Sequence, residues 1–314
     1  MEKFCKYKNS LKNFKYGFWD IILWKSRLCR DERLYEKKDF SEQEYFIPAK
    51  FDKEKPYVVW INHSSFWVKI KNISILTDPV WSKKCFPMPI FGAKRLHKPP
   101  FDLEKLEKID FVLISHNHYD HLDKKTVLKL NKLYPNIQWI VPKGLKRWFL
   151  KKNIFKVSEL YWWENIQFKD ISVTATASQH FSGRMVFDYN NTLWVGYILE
   201  IRDKKMYFVG DTGYNENDFK DIGKKYKKID LSLIPIGAYL PRRFLKPVHI
   251  NPEEAVKIHK EVNSIFSIGM HWKTFRLSDE PIYLPPQDLS IAIKKERLDP
   301  YSFVVVKPGT YVNW

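Results

Sequence analysis

The segment Ile114-Ser115-His116-Asn117-His118-Tyr119-Asp120-His121-Leu122-Asp123 gathers three imidazoles and a carboxylate within the six residues from His116 to His121. Imidazole nitrogen and carboxylate oxygen hold zinc at about 2.0–2.2 Å, and a compact loop can divide such a set between two neighbouring ions. A purely structural loop has no use for this concentration of titratable groups, so the motif predicts a metal centre rather than a surface histidine cluster. No thiolate joins it: Cys5, Cys29 and Cys85 are widely spaced and form no Cys-x-x-Cys pair, which indicates neither a cysteine zinc site nor a disulfide framework, with a reducing compartment as the default.

Such a loop needs a rigid base. Asp110 to Ser115 reads as a buried strand that ends directly in the histidines, and loops at strand ends are where side chains can be displayed. Upstream, Tyr57 to Ile61, Phe66 to Ile70 and Ile73 to Thr77 are separated by Asn62-His63-Ser64-Ser65 and Lys71-Asn72, the pattern of an antiparallel meander. Downstream come a helix near Lys124 to Leu133, a strand at Gln138 to Val141 and a basic helical stretch near Leu145 to Lys152. A second β-rich block follows at Ile171 to Ala177, Leu193 to Ile201, Met206 to Gly210 and Leu231 to Pro235, then a helix at Pro252 to Val262 and a strand at Ile265 to Met270. Two β-rich halves, each with helices, predict an α/β chain folded as a four-layer αββα sandwich. Residues 51–314 are read as this domain and residues 1–50 as an N-terminal extension. In the extension, Phe14, Phe18, Trp19, Ile21, Ile22 and Trp24 are flanked by Lys12, Lys15, Lys25 and Arg27. That is an amphipathic pattern, packed on its own domain or lying on a membrane surface.

The order His-x-His-x-Asp-His resembles the signature of the metallo-β-lactamase superfamily. The resemblance implies that His116 and His118 serve one metal, that Asp120 and His121 serve another, and that three more ligands follow at later strand ends. His180 in Ser178-Gln179-His180-Phe181-Ser182-Gly183-Arg184, Asp211 after Tyr207-Phe208-Val209-Gly210, and His271 after Ser267-Ile268-Gly269-Met270 stand in those positions. The implied set is His116, His118 and His180 on one ion, Asp120, His121 and His271 on the other, and Asp211 as the bridge. Two Zn2+ ions are expected, because the oxygen- and iron-handling branch usually has Glu where this chain has His118; iron and manganese stay open. In the same pattern Asp78 accepts the second ring proton of a ligand histidine, while His63 is either a similar support or turn structure. A ligand set without thiolate departs from the β-lactam-hydrolysing branch, and a bridging Asp211 points to phosphodiesterase, lactonase or thioesterase chemistry.

Further motifs narrow the resemblance. Trp60-Ile61-Asn62-His63-Ser64-Ser65, Leu76-Thr77-Asp78-Pro79-Val80-Trp81, Ile236-Gly237-Ala238-Tyr239, His249-Ile250-Asn251-Pro252-Glu253-Glu254-Ala255 and His271-Trp272-Lys273-Thr274-Phe275 resemble, with the histidine cluster, the N-acylphosphatidylethanolamine-hydrolysing phospholipase D family. The chain departs from it at Met88-Pro89-Ile90-Phe91, where animal members carry a polar Ser-Gln-Tyr stretch. The implied reaction is hydrolysis at phosphorus by a metal-activated water, giving phosphatidate and N-acylethanolamine. Asp120, Asp211 and His249 are its candidate catalytic residues, with His249 contacting phosphate or protonating the leaving oxygen. Arg184, Tyr239 and Arg242 are candidates for the substrate path.

The formal net charge is +18 over 314 residues. It reads either as attraction to phosphate or lipid or as a lysine-rich composition with no partner behind it. A cluster of Lys146, Arg147, Trp148, Phe149, Lys151, Lys152 and Phe155 suits an anionic membrane surface. No RNA-binding module is recognisable, so no specific nucleic-acid partner is expected. No apolar run approaches the ~20 residues that span a bilayer and no signal peptide is recognised, so a cytoplasmic or peripheral-membrane location is expected. Two alternatives remain: a lactonase or nucleotide or RNA phosphodiesterase with the same metals, and a non-catalytic membrane-associated scaffold.

Overall fold

Strand β1 (Tyr57–Asn62) shows how the layers are filled. Side chains alternate between faces along a strand, yet all six of these residues are buried, so both faces must be covered. Val58 and Trp60 pack with Phe66, Val68, Ile75 and Leu113 in the same cluster as Ile171, Val173 and Tyr197 of the other sheet. Tyr57, Val59 and Ile61 pack with Leu76, Val112 and Trp139 against Val127, Leu130 and Phe149, which belong to helices α1 (Lys124–Leu133) and α2 (Lys146–Leu150). A strand that is apolar on both faces belongs to an inner layer.

The computed structural model describes residues 6–9, 45–48, 50–86, 92–185 and 187–314. With β1, the strands β2 (Ser65–Ile70), β3 (Ile73–Thr77), β4 (Phe111–Leu113), β5 (Gln138–Pro142), β6 (Val157–Leu160) and β14 (Tyr311–Asn313) form one sheet in the order β14-β1-β2-β3-β4-β5-β6. The strands β7 (Asn165–Phe168), β8 (Ile171–Thr176), β9 (Gly196–Ile201), β10 (Lys204–Phe208), β11 (Ile229–Pro235), β12 (Ser264–Met270) and β13 (Phe303–Val304) form the other, in the order β13-β12-β11-β10-β9-β8-β7. Each sheet has three antiparallel pairings on one side and three parallel ones on the other. Parallel neighbours need crossover connections. Helices α1 and α2 supply two of the three in the first sheet, from β4 to β5 and from β5 to β6, and α3 (Glu216–Tyr226), α4 (Arg242–Leu245), α5 (Pro252–Glu261) and α6 (Leu284–Lys295) supply those of the second. Phe219, Ile222, Val256, Ile258, Leu289 and Ile293 from α3, α5 and α6 join the core beside the second sheet. The architecture is the expected four-layer αββα sandwich.

Several boundaries differ from the sequence expectation. The strand expected at Asp110 to Ser115 is Phe111–Leu113, because Ser115 N–H turns to the Asp78 carboxylate instead of continuing the ladder. The strand expected from Leu193 begins at Gly196. Helix α6 is an element beyond those read from the sequence; it has Pro285-Pro286 in its first turn, where the N–H groups have no intrahelical partner and proline is tolerated. The amphipathic patch from Phe14 to Trp24 lies outside the described residues. The described parts of the N-terminal extension pack on the domain: Tyr7 N–H donates to Asn190 O (3.0 Å) and Phe46 N–H to Val305 O (2.8 Å). Among the described residues, no helix is long and apolar enough to cross a membrane.

Candidate metal centre

The carboxyl ends of the central strands of both sheets feed one cluster. Asp78 follows β3, His116 to His121 follow β4, His180 follows β8, Asp211 follows β10 and His271 follows β12. Backbone strain accompanies the convergence: Asp78, His63 and His271 have φ of 31°, 44° and 63°, a left-handed conformation that non-glycine residues hold only when the surroundings impose it.

Two groups of donors result. In the first, His116 Nε2 lies 2.8 Å from His118 Nδ1, and His180 Nε2 lies 3.3 Å from the same atom. Ligands at about 2.0 Å around a tetrahedral zinc stand ~3.3 Å apart, so these spacings suit a shared ion. His180 Nδ1–H donates to Val248 O (2.8 Å), which turns its Nε2 lone pair inward. In the second group, His121 Nε2 is 3.3 Å from Asp120 Oδ2 and 3.2 Å from Asp211 Oδ2, and His271 Nε2 is 3.0 Å from Asp211 Oδ2. The same Asp211 oxygen lies 3.8 Å from His180 Nε2 and 4.0 Å from His116 Nε2, so it faces both groups.

The donors fit divalent metals on three counts. They are all nitrogen or carboxylate oxygen. His121 Nε2, His271 Nε2 and Asp211 Oδ1 are buried with no hydrogen-bond partner, a costly state unless something else satisfies them. The charge balance also calls for cations. Burial takes His118 down to about 3 and His180 to about 4, and His116 well below its ordinary value, which leaves their lone pairs free at neutral pH. At His271 burial works the same way, but Asp211 and Asp120 override it and raise the imidazole to about 9. His121 is likewise driven well above its usual range by Asp211, Asp120 and Asp78 against the effect of burial. Burial works to raise Asp120 and Asp211, yet His121 holds both carboxyls well below the ordinary value. A pair of buried carboxylates thus attracts positive charge into the place where a metal would lie.

Around these donors, Asp78 does more than orient one histidine. His121 Nδ1–H donates to Asp78 Oδ2 (2.6 Å), and the Ser115 hydroxyl donates to the same oxygen (2.6 Å). With that proton committed, Ser115 Oγ can only accept from His116 Nδ1–H, 2.9 Å away. One carboxylate therefore sets the tautomer of a histidine in each group. Ser115 was not singled out in the sequence, although it adjoins the motif. Asn9 had no signal at all: its Oδ1 accepts from His180 N–H (3.1 Å) and Trp194 Nε1–H (3.0 Å), and its Nδ2 donates to His180 O (2.9 Å).

The remaining candidates fall at varied distances from the donor groups. His63 is buried with Nε2 2.9 Å from Asp120 Oδ2; burial takes its imidazole down to about 3. His249 Nδ1 is 4.0 Å from Asp211 Oδ2, and its ring stands 5.0 Å from that of His180 and 5.3 Å from that of His271. Arg242 donates to His249 O (2.9 Å) and to Glu254 Oε2 (2.7 Å). Glu254 also closes the capping box of α5 with Asn251, which fixes where His249 enters the site. Tyr239 is buried and its hydroxyl donates to Asp288 (2.5 Å). Arg184 lies with its guanidinium 4.2 Å over the Tyr119 ring and donates to Leu122 O.

The chain is similar to known proteins in sequence and in fold. The family described as "Beta-lactamase superfamily domain" matches residues 74–272. The N-acyl-phosphatidylethanolamine-hydrolyzing phospholipase D 1 of Caenorhabditis elegans is 39% identical over 81% of this chain and 74% of its own length. The N-acyl-phosphatidylethanolamine-hydrolyzing phospholipase D, mitochondrial, of Saccharomyces cerevisiae is 36% identical over 75% of this chain and 51% of its own length. The fold is shared with the metallo hydrolase Igni18 of Ignicoccus hospitalis, with a TM-score of 0.62 at 19% identity, covering 83% of this chain and 98% of that one. The chain is a metal-dependent hydrolase of the β-lactamase superfamily, in the family that includes the phospholipase D relatives of the worm and of yeast.

Proposed function

We propose that the chain is a zinc-dependent phosphodiesterase that hydrolyses N-acylphosphatidylethanolamine to phosphatidate and N-acylethanolamine. The observation that carries the reading is Asp211 Oδ2, one carboxylate oxygen facing both donor groups in a set without thiolate. The relatives' printed activity supports the lipid substrate. When bound, two zinc ions supply activation of water and neutralisation of charge at a phosphoryl oxygen. The chain's own residues do the rest. Asp78 and Ser115 hold the imidazoles in the ligating tautomer. Burial holds His249 well below its ordinary pKa and hence neutral. Beside Asp211, its ring N–H is available to the phosphate, and Arg242 and Glu254 keep its backbone in register. The bond to the ethanolamine oxygen breaks; that oxygen leaves with a proton, and the water oxygen stays on phosphatidate.

The test is hydrolysis of N-acylphosphatidylethanolamine in mixed micelles by metal-quantified protein, run beside Asp211→Asn and beside bis(p-nitrophenyl) phosphate. The expected result is release of N-acylethanolamine, abolished in the variant. Turnover of the simple diester without the lipid would retain the centre and discard the substrate. Two metals bound with neither activity would discard the phosphodiesterase reading.

A further inference from the structure

His180 reaches the first donor group from a segment outside the His116 to His121 loop, so its place depends on what holds that segment. Ala177, Ser178 and Gln179 link the end of β8 to it. Gln179 is pinned to the residues after β10: its N–H donates to Thr212 Oγ1 (2.9 Å), and its O accepts from Gly213 N–H (2.7 Å). Its side chain donates to Pro247 O (2.8 Å). That backbone pairing stops one residue short of the donor. Among the described residues, the main-chain N–H and C=O of His180 are paired with a single side chain, that of Asn9, through Oδ1 (3.1 Å) and Nδ2 (2.9 Å). A primary amide offers an acceptor and a donor side by side, so Asn9 supplies what a neighbouring strand would supply from its backbone.

The amide has one workable orientation. The indole Nε1–H of Trp194 can only donate, and it lies 3.0 Å from Asn9 Oδ1. The oxygen must therefore face Trp194 and His180 N–H, which leaves the NH2 group for His180 O. Trp194 and His180 are both buried, so losing the amide would leave polar atoms unpaired away from water. The short arm that carries Asn9 is anchored as well. Tyr7 N–H donates to Asn190 O (3.0 Å) and Asn190 Nδ2 donates to Tyr7 O (3.3 Å). Asn190 in turn holds Ser182, accepting from its N–H (3.0 Å) and donating to its O (2.8 Å). Tyr7 and Asn9 thus grip the segment around His180 at two points. Val248 O fixes the tautomer of the His180 ring, but it does not fix where the main chain beneath that ring sits. A ligand has to be placed to within about 0.5 Å to meet its ion.

We propose that Asn9 is a positioning residue of the metal centre: by holding both main-chain polar atoms of His180 it sets where that Nε2 stands against His118 Nδ1, and it makes the N-terminal extension a working part of the first metal position. The inference rests on the donor groups holding metal and is independent of the lipid substrate. The residue type matters. Aspartate would set a second acceptor against His180 O, and glutamine would carry the amide one methylene too far.

The test is zinc titration of the full chain against buffered free zinc, with the melting temperature of the metal-free protein measured alongside. Unaltered protein is compared with Asn9→Ala, His118→Ala and Phe46→Ala. His118→Ala identifies the binding step that belongs to the first group. Asn9→Ala should weaken that step about tenfold and spare the other; this is the lower end of the roughly 10–100-fold loss that follows removal of a ligand's outer support, because Val248 O still orients the ring. Phe46→Ala removes ring contacts with Phe266 and Tyr301 (6.2 and 6.1 Å). It loosens the same extension without touching His180, and should lower the melting temperature while leaving both zinc steps unchanged. Cobalt(II) in place of zinc gives a second readout: the visible absorption of the first-group ion should shift in Asn9→Ala and not in Phe46→Ala. Should Asn9→Ala itself melt earlier, Asn9→Asp carries the comparison, since it keeps the shape and the accepting contacts, loses only the bond to His180 O, and should still weaken the first step. Equal zinc affinities in unaltered protein and the Asn9 variants would overturn the proposal. So would equal weakening of both steps, or a Phe46→Ala protein that loses the first step as strongly, since either makes the extension a general brace. Fewer than two zinc ions in the unaltered protein would remove the two-metal reading itself, and the role of Asn9 with it.

Discussion

Replacing Asp78 by asparagine separates a residue that merely fills a turn from one that sets the state of both metal groups. Three donors converge on its carboxylate: Ser115 N–H (2.7 Å), the Ser115 hydroxyl (2.6 Å) and His121 Nδ1–H (2.6 Å). Burial raises the Asp78 pKa, and His121 and Ser115 work against that rise. An amide has one accepting oxygen. In one orientation its NH2 opposes the His121 and Ser115 hydroxyl protons; in the other it opposes Ser115 N–H. The first forces His121 to carry its proton on Nε2, where a metal would bind, and releases the Ser115 hydroxyl from its duty to His116. Asp78 and His121 have no solvent exposure, so water does not screen the loss. A hydrogen bond to a charged group contributes about 1.5–3 kcal/mol. That corresponds to the 10–100-fold drop in metal affinity that is roughly typical when a ligand histidine loses its orienting partner. The assay is zinc content by mass spectrometry after dialysis against buffered free zinc. Asp78→Asn should need about 10–100-fold more zinc to fill both positions. Ser115→Ala cuts only the branch to His116 and should weaken one ion and spare the other. Unchanged affinity in Asp78→Asn, or equal weakening of both ions in Ser115→Ala, would refute the relay.

Three further outcomes are expected. Metal affinity should rise with pH: His271, raised to about 9, keeps its proton at neutral pH and must release it on binding. This one group therefore contributes about tenfold per unit up to about pH 9 and a loss in acid, a trend that zinc titrations across that range would check. Gly223→Ala should destabilise the fold by about 2 kcal/mol or more, because a Cβ there would lie 1.9 Å from Glu261 O on α5; thermal or urea unfolding would show it. Arg242→Met should lower turnover roughly tenfold with metal content intact, by freeing the His249 backbone without touching a ligand.

What could be read from the chain alone was whatever short-range pattern carries. The short β-rich runs and turn residues from Tyr57 to Thr77 specified strands of an antiparallel meander, since these are local properties. The crowding of His116, His118, Asp120 and His121 announced metal chemistry for the same reason: the donors are neighbours in sequence. His180, Asp211 and His271 stood out only by resemblance, because a single histidine or aspartate after a strand has many uses. Tertiary structure decided the rest. Strand β14 pairs with β1, Tyr57 opposite Asn313, an adjacency no periodicity encodes. Phe149 looked available for a membrane and is core, because α2 lays it against Trp139. Asn9 reaches the His180 backbone across 171 residues of sequence. Local sequence sets conformational preference and which side chains avoid water. Which distant groups meet depends on how the two sheets pack, and there Ser115, Asp78 and Asn9 acquire their places around the metal centre.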